Sequence, residues 1–361
     1  MKVVQIVPRL NWRDAIGDDA LAIDDALRDA GYQSEIMCVS AHESLESRAK
    51  PFDAALFEPQ DLAILHHASY NPLIGQVANL PCRRGILYHN ITPSKYFVGY
   101  DPVVCANLLV GRYQIKKYAP KMDFAWGVSQ YNCAELVRYG VDKSRVQTLP
   151  ILFQSENVAV EPDETLARQL ASHAGTKLLF VGRVSPNKKH EDIIKVYWHV
   201  LRHDPLAKLY LVGNWKGMEK YYAKLKGFCA DLKLADDQVV FTGSVSEEEK
   251  AAYLANADAL VCMSEHEGFC VPLIEAMRSD LPIVAYAAAA VPETLGDNGL
   301  LFARKHFASM ARAVKRVREE SDFRTQVLQK QCAQLTAFEN SDPKGRLLHL
   351  VEQETRLLER A

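Results

Sequence analysis

Short apolar runs alternate with helix-length amphipathic patterns along most of the chain. In the first half, VVQIV (3–7), SEIMCV (34–39), LAILHH (62–67), RGILYH (84–89) and DFAWGVS (123–129) are near-continuous apolar segments, the pattern of strands buried on both faces. DDALAIDDALRDAG (18–31) and YNCAELVRYG (131–140) carry apolar residues at helical spacing, and each closes on a glycine, a helix C-terminal signal. A second series begins with KLLFVG (177–182) and continues through AKLYLVG (207–213), QVVFTG (238–243), ALVCMS (259–264) and LPIVAY (281–286). HEDIIKVYWHVLR (190–202), SEEEKAAYLANA (246–257) and PLIEAMRS (272–279) are its predicted helices. Strand–helix alternation of this kind predicts an α/β protein whose parallel sheets are covered by helices on both faces. Between the two series lies a polar stretch, 154–176, which reads as a linker region. From about His306 the pattern is helical, ending in a terminal amphipathic helix over 341–361. The expected domains are 1–153 and 177–341, and a length of 361 residues agrees with two cores rather than one. Two such domains imply a cleft between them, a preferred place for a ligand.

Composition narrows the class without changing this layout. Apolar residues make up 48% and charged residues 24%, with a formal net charge of -2. Residues 1–150 carry 16 basic and 16 acidic side chains, so charge is not segregated and no nucleic-acid footprint is present. None of the eight cysteines is spaced C-x-x-C, which argues against a zinc ribbon or disulfide framework and for a reducing cytoplasm. The first apolar run is too short for a secretory signal, and no stretch approaches the ~18 apolar residues of a membrane span.

Several chemical signatures are absent. There is no G-x-G, no G-x4-G-K, no G-x-S-x-G and no D-x-D. An enzyme handling a diphosphate with this sequence must use side-chain cations and backbone amides. FVGRVSPNKKH (180–190) offers such cations: Arg183 follows a predicted strand and Gly182, and Lys188 and Lys189 precede a predicted helix. The plain alternative is a solvated loop with surface lysines. EGFCVPLIE (267–275) places Glu267 before a predicted helix start at Pro272 and Glu275 about one turn into it. Val271 would then be the N-cap, without a side-chain oxygen, leaving the amides of Leu273 and Ile274 for a phosphate or sugar oxygen. The two carboxylates reach different parts of one ligand, each a bidentate acceptor for vicinal hydroxyls; the bland alternative has both facing water.

Three further segments have two readings each. LYHNITPSKYFVGYDP (87–102) sets His89 at a strand end, as a structural residue or one facing a ligand, and its Tyr88, Tyr96, Phe97 and Tyr100 suit sugar stacking or core. NWRDAIGDD (11–19) places Gly17 before the first helix, for close approach to a ligand or as part of an ordinary cap. RYQIKKYAPK (112–121) gathers Arg112, Lys116, Lys117 and Lys121 on a helix, as a solvated face or a contact with an anionic membrane or lipid-diphosphate acceptor.

VGRVSPNKKHEDII and SEHEGFCVPLIEAM resemble the G-R-x4-K and E-x7-E segments of the family 4 glycosyltransferases of the GT-B fold. VVFTGSVSEEE and AAAAVPETLGDNGLLF are similar to the flanks of those segments. VVPRLNWRDAIGDDAL, YHNITPSKYFVGYDP and GVSQYNCAELVRYGV resemble a branch that builds bacterial cell-surface polysaccharides. The resemblance implies two Rossmann-like parallel-sheet domains facing across a cleft. The N-terminal domain would take the acceptor and the C-terminal one the nucleotide-diphosphate sugar, and the last helix, 342–361, would cross back to the first domain. It implies transfer with retention of configuration and without a metal or other cofactor. By resemblance, Arg183 and Lys188 hold the diphosphate, Glu275 the ribose hydroxyls, and Glu267 the sugar near its anomeric centre. The backbone at Phe269 and Cys270 lines the sugar, Val240 and Phe241 sit by the base, His89 faces the sugar from the other domain, and Gly17 closes the phosphate pocket. Many members have glycine where this chain has Cys270.

The expectation is therefore a retaining hexosyltransferase acting on a glycan or lipid-linked acceptor at the cytoplasmic face of the inner membrane. A phosphorylase or nucleotide-sugar epimerase of the same fold, and a non-catalytic transferase-like binding partner, are the other readings.

Overall fold

The structure, a computed structural model, describes residues 1–11, 14–152 and 160–358. Its strands form two separate sheets whose ladders are parallel, with one isolated antiparallel bridge between Gly213 and Gly243 among the described residues. The first contains β1 (Lys2–Leu10), β2 (Gln33–Ala41), β3 (Lys50–Pro51), β4 (Leu62–His67), β5 (Arg83–Tyr88), β6 (Phe124–Gly127) and β7 (Val146–Thr148), in the order β3-β2-β1-β4-β5-β6-β7. The second contains β8 (Lys177–Val181), β9 (Lys208–Val212), β10 (Val239–Gly243), β11 (Ala259–Cys262), β12 (Ile283–Tyr286) and β13 (Leu300–Phe302), in the order β10-β9-β8-β11-β12-β13. In both sheets the order reverses beside the first strand. Strand C-terminal ends on either side of such a switch point are where α/β sheets bind ligands.

The chain divides into two compact units. Unit one is Met1–Ser94, Val103–Glu156 and Glu339–Ala361; unit two is Lys95–Pro102 and Asn157–Phe338. In unit one all six residues of β4 are buried, including His66 and His67, as expected of a strand covered on both faces. Trp126 and Phe124 of β6 are also buried, and the helix Ala15–Asp29 packs Ala20 and Leu21 against Val7, Leu10 and Ile36. Each fully buried aliphatic side chain of this kind contributes about 1.5–3 kcal/mol. The helices Ala15–Asp29 and Gln130–Arg138 both end as their sequences predict. Gly31 and Gly140 take φ of +85° and +94°, and the next residues, Tyr32 and Val141, donate back to Leu27 O and Leu136 O. A left-handed turn of this sort favours glycine.

The helix Pro343–Leu358 belongs to unit one. Its Glu354 pairs with Arg83 at 2.5 Å, and Lys344 reaches Asp29 at 2.8 Å. The expected linker, 154–176, starts in a segment that lies outside the described residues, and it contains the helix Glu164–Ala171, capped by the Asp163 side chain. Among the described residues no helix is long and apolar enough to cross a membrane.

Candidate functional site

The two motif segments of unit two meet at the C-terminal ends of β8 and β11. Beyond β8, Gly182 N donates to Val212 O (2.8 Å) and Val184 N to Asn214 O (2.9 Å), which fixes the start of the loop. A short 3-10 turn, Pro186–Lys188, follows. Asn187 ties it to the loop after β11: its side chain donates to His266 O (3.0 Å), and its carbonyl accepts from Glu265 N (2.9 Å). The outcome is a two-pronged contact in which Lys188 Nζ donates to both Glu267 oxygens, at 2.6 and 2.7 Å. The side chains are 20% and 9% exposed. Burial alone would lower the Lys188 pKa, but the Glu267 charge and hydrogen bonds outweigh it, so the net shift is upward and the ammonium stays charged. A small cavity of about 10 Å³ is lined by the pair together with Phe180, Cys262, Cys270 and Leu273. Arg183, by contrast, is exposed and makes no ion pair with any described residue. Lys189, with φ of +56°, lies 3.5 Å from Glu191 and 3.7 Å from Glu265, so it belongs to an acidic network rather than standing spare.

The helix after Glu267 departs from expectation at its first turn. It spans Val271–Arg278, and its N-cap is Cys270, not Val271. Cys270 has φ of +79° and ψ of +64°, a conformation that costs a non-glycine residue roughly 1–2 kcal/mol. Leu273 N donates to Cys270 O at 3.0 Å, so this amide is not free for a ligand. Leu273 and Ile274 are buried, whereas Val271 is half-buried. The Phe269 carbonyl accepts from the Thr294 hydroxyl.

Glu275 does not join Glu267. Its carboxylate accepts from Lys250 Nζ at 2.8 Å, and Lys250 also contacts Glu247 at 2.7 Å. Lys250 sits on the helix Glu247–Asn256, which opens on a Ser246–Glu249 capping box, and nothing in the sequence linked it to Glu275. Val240 and Phe241 are half-buried on β10. Phe241 meets Tyr222 edge-on at 5.1 Å, and Tyr222 stacks on Trp215 at 4.4 Å. This aromatic group was not foreseen.

The remaining expected residues lie in unit one. Gly17 is inside the helix Ala15–Asp29 rather than ahead of it. A Cβ there would meet Asn11 O at 2.6 Å, so the close approach that requires glycine is to the chain's own backbone. His89 follows β5 and is half-buried. Its Nε2 lies 2.9 Å from His66 Nδ1, and His66 Nε2 lies 3.0 Å from Gln5 Oε1. Asp19 is buried nearby and accepts from Leu152 N at 2.7 Å. Burial pushes its carboxyl up to about 7. Ligand atoms of Asp19, His66 and His89 fall within 4.8 Å of one another. A cation there would have to break the His66–His89 hydrogen bond and compete with the Leu152 amide, so the group reads as a hydrogen-bonded cluster.

Two aromatics of 87–102 are core: Tyr88 and Phe97 are buried, and Tyr88 donates to Glu135 at 2.7 Å. Tyr100 accepts from Lys224 at 2.8 Å. Arg112 leaves the basic run, turning inward onto Ile91 O (2.6 Å) and Glu135 (3.1 Å). Lys116, Lys117 and Lys121 stay exposed. Val103, Leu109, Val110 and Tyr113 are exposed on the same helix, Pro102–Tyr118. A larger open depression, of about 500 Å³, lies in unit one among Cys133, Gln147, Thr148 and Arg346; none of the expected site residues lines it.

This architecture, two parallel-sheet domains with motif loops at the strand ends, is that of the GT-B fold. The Anabaena HepE structure in complex with UDP and glucose superimposes with a TM-score of 0.73 at 16% identity, over 98% of this chain and 100% of that one. Residues 163–331 match the family model described as "Glycosyl transferases group 1", a span that contains both motif segments. The chain is similar to the MMP alpha-(1->4)-mannosyltransferase of Mycolicibacterium hassiacum, 46% identical over 71 residues (19% of this chain, 17% of that one). It is also similar to the D-inositol 3-phosphate glycosyltransferase of Frankia alni, 30% identical over 175 residues (46% of this chain, 42% of that one). The matched stretches span less than half the length of either relative. The chain is thus related to bacterial glycosyltransferases.

Proposed function

We propose that the protein is a retaining glycosyltransferase that moves a hexose-type sugar from a nucleotide-diphosphate donor to a glycan or lipid-linked acceptor in cell-surface polysaccharide synthesis. The observation that carries this reading is the Lys188–Glu267 pair, laced between the two motif loops at the strand ends, with Arg183 exposed and without an ion pair among the described residues at the start of the same loop. An exposed guanidinium and a half-buried ammonium suit a diphosphate leaving group, whose charge grows as the glycosidic bond breaks. Glu267 keeps Lys188 in place and offers acceptor oxygens to the sugar near its anomeric centre. Glu275 would exchange its contact with Lys250 for the ribose hydroxyls. Gly182 and the backbone of Phe269, Cys270, Val271 and Ile274 line the donor, with Val240 and Phe241 beside the base; the Leu273 amide, held by Cys270 O, takes no part. This reading assigns His89 to the sugar. No step calls for a metal or other cofactor.

The test is release of nucleoside diphosphate from UDP-glucose and from GDP-mannose, with and without a lipid-linked saccharide acceptor. Acceptor-dependent release by the wild type, lost in Arg183→Ala, supports the assignment. Release that needs inorganic phosphate instead points to a phosphorylase, epimerised donor without release to an epimerase, and no binding of any donor to a non-catalytic partner.

The exposed Val103, Val110 and Tyr113, with Lys116, Lys117 and Lys121, support a peripheral contact with the anionic cytoplasmic face of the inner membrane. Co-sedimentation with phosphatidylglycerol vesicles should fall in a Val110→Asp/Tyr113→Asp variant; equal sedimentation would remove the contact from the account.

A further inference from the structure

The hydrogen bonds leading to His89 run in one direction, and a backbone carbonyl sets it. Ala20 O can only accept, so the Gln5 amide nitrogen faces it, at 3.0 Å. That turns Gln5 Oε1, also an acceptor, toward His66 Nε2 at 3.0 Å, so His66 Nε2 carries the hydrogen. His66 is fully buried, and burial pushes its pKa down to about 3, so the ring is neutral and its Nδ1 is a bare lone pair. His89 Nε2, 2.9 Å from that lone pair, must then donate. Burial, with the neighbouring His66 and His67, holds the His89 pKa well below the usual range, so His89 is neutral as well. Its Nδ1 is left as a lone pair, and this nitrogen makes no hydrogen bond with any described residue.

We propose that Gln5 and His66 are positioning residues that lock His89 in its Nε2–H tautomer, making His89 Nδ1 a fixed hydrogen-bond acceptor for a sugar hydroxyl. The tautomer stands on the hydrogen bonds together with the buried, neutral state of both rings; the identity of the hydroxyl rests on the transferase reading. The subsite would select against anionic oxygen. A phosphate oxygen has no hydrogen to give a bare nitrogen, and the Asp19 carboxyl, close to both rings, adds negative charge whenever it is ionised. A hydroxyl both fits the lone pair and brings no charge into a buried cluster.

Long-range proton–nitrogen correlation spectra of the histidine rings, recorded on 15N-labelled full-length protein without ligand, test this directly. The expected result is a protonated Nε2 and an unprotonated Nδ1 for both His66 and His89, unchanged from pH 8 to pH 5. Gln5→Leu removes the acceptor that orders the chain, and both rings should become tautomer mixtures. A protonated Nδ1 on His89 in the wild type, or spectra indifferent to Gln5→Leu, would overturn the relay. For the donor that the wild type turns over, Gln5→Leu should lower kcat/KM about two- to tenfold, the value of one hydrogen bond. An unchanged kcat/KM would remove the hydroxyl role. Because the spectra need no ligand, failure of the relay and failure of the transferase reading are told apart.

Discussion

Replacing Lys188 with methionine keeps the length of the side chain and removes its charge. Glu267, 9% exposed, loses the ammonium that both its oxygens contact at 2.6 and 2.7 Å. Removing one partner of a fully buried pair costs about 3–5 kcal/mol; because Lys188 is 20% exposed and partly screened, about 2–3 kcal/mol is expected. At about 2–4 °C per kcal/mol for a domain of this size, the unfolding transition should fall by roughly 5–10 °C. The double variant Lys188→Met/Glu267→Gln leaves neither charge buried and should recover much of the loss, with a coupling energy of about 2 kcal/mol. Calorimetric melts at pH 7 of the wild type, both single variants and the double variant measure this, in ~0.1 M and ~1 M salt. A buried pair keeps its coupling at high salt, whereas a surface pair loses it. Donor turnover should stay abolished in the double variant even as stability returns, which separates holding the loops from holding the diphosphate. A Lys188→Met protein as stable as the wild type, or single effects that simply add, would show that the pair does not hold the two loops together.

Three other outcomes follow from the same structure. Cys270→Gly should fold as stably as the wild type, while Cys270→Val, forcing a β-branched residue to φ of +79°, should lose about 2 kcal/mol or more in urea unfolding; equal effects would deny the left-handed cap. Lys250→Ala should change nucleoside diphosphate affinity by freeing Glu275 from its 2.8 Å contact; affinity identical to wild type would show that this contact does not compete with the ligand. Burial depresses His66 and His190 to about 3 and His67 to about 4, so their stability is fully present above the unfolded value of 6.5 and is lost as pH falls toward those folded values. Asp19 works oppositely: raised from 3.8 to about 7, it costs stability as pH rises through that window. Asp19→Asn should therefore be more stable than wild type at pH 8 and lose more on acidification, and parallel pH profiles of the urea midpoint would contradict this.

The sheets were legible because buried parallel strands write long apolar runs, as LAILHH does for β4, and because Gly31 and Gly140 mark helix ends that only a left-handed residue closes well. The edge strands β3, β7 and β13 were not, since two or three residues carry no period. At the site, the sequence named Lys188 and Glu267 but could not pair them, because they are 79 residues apart and meet only through the Asn187 lacing. It also placed the helix cap one residue late. Valine before proline looks like a cap, but the positive φ sits on Cys270, where the side chain gives no hint of it. Lys250 and the Gln5–His66 chain were invisible for the same reason as the pair: each depends on a contact between distant elements.

Isothermal titration of UDP, GDP and ADP into the wild type and Arg183→Ala measures whether this site holds a nucleoside diphosphate. One of these nucleotides should bind the wild type saturably, and Arg183→Ala should weaken it about ten- to a hundredfold, the value of a charge-assisted contact. No binding by any of them, or equal affinity in the variant, would contradict that assignment.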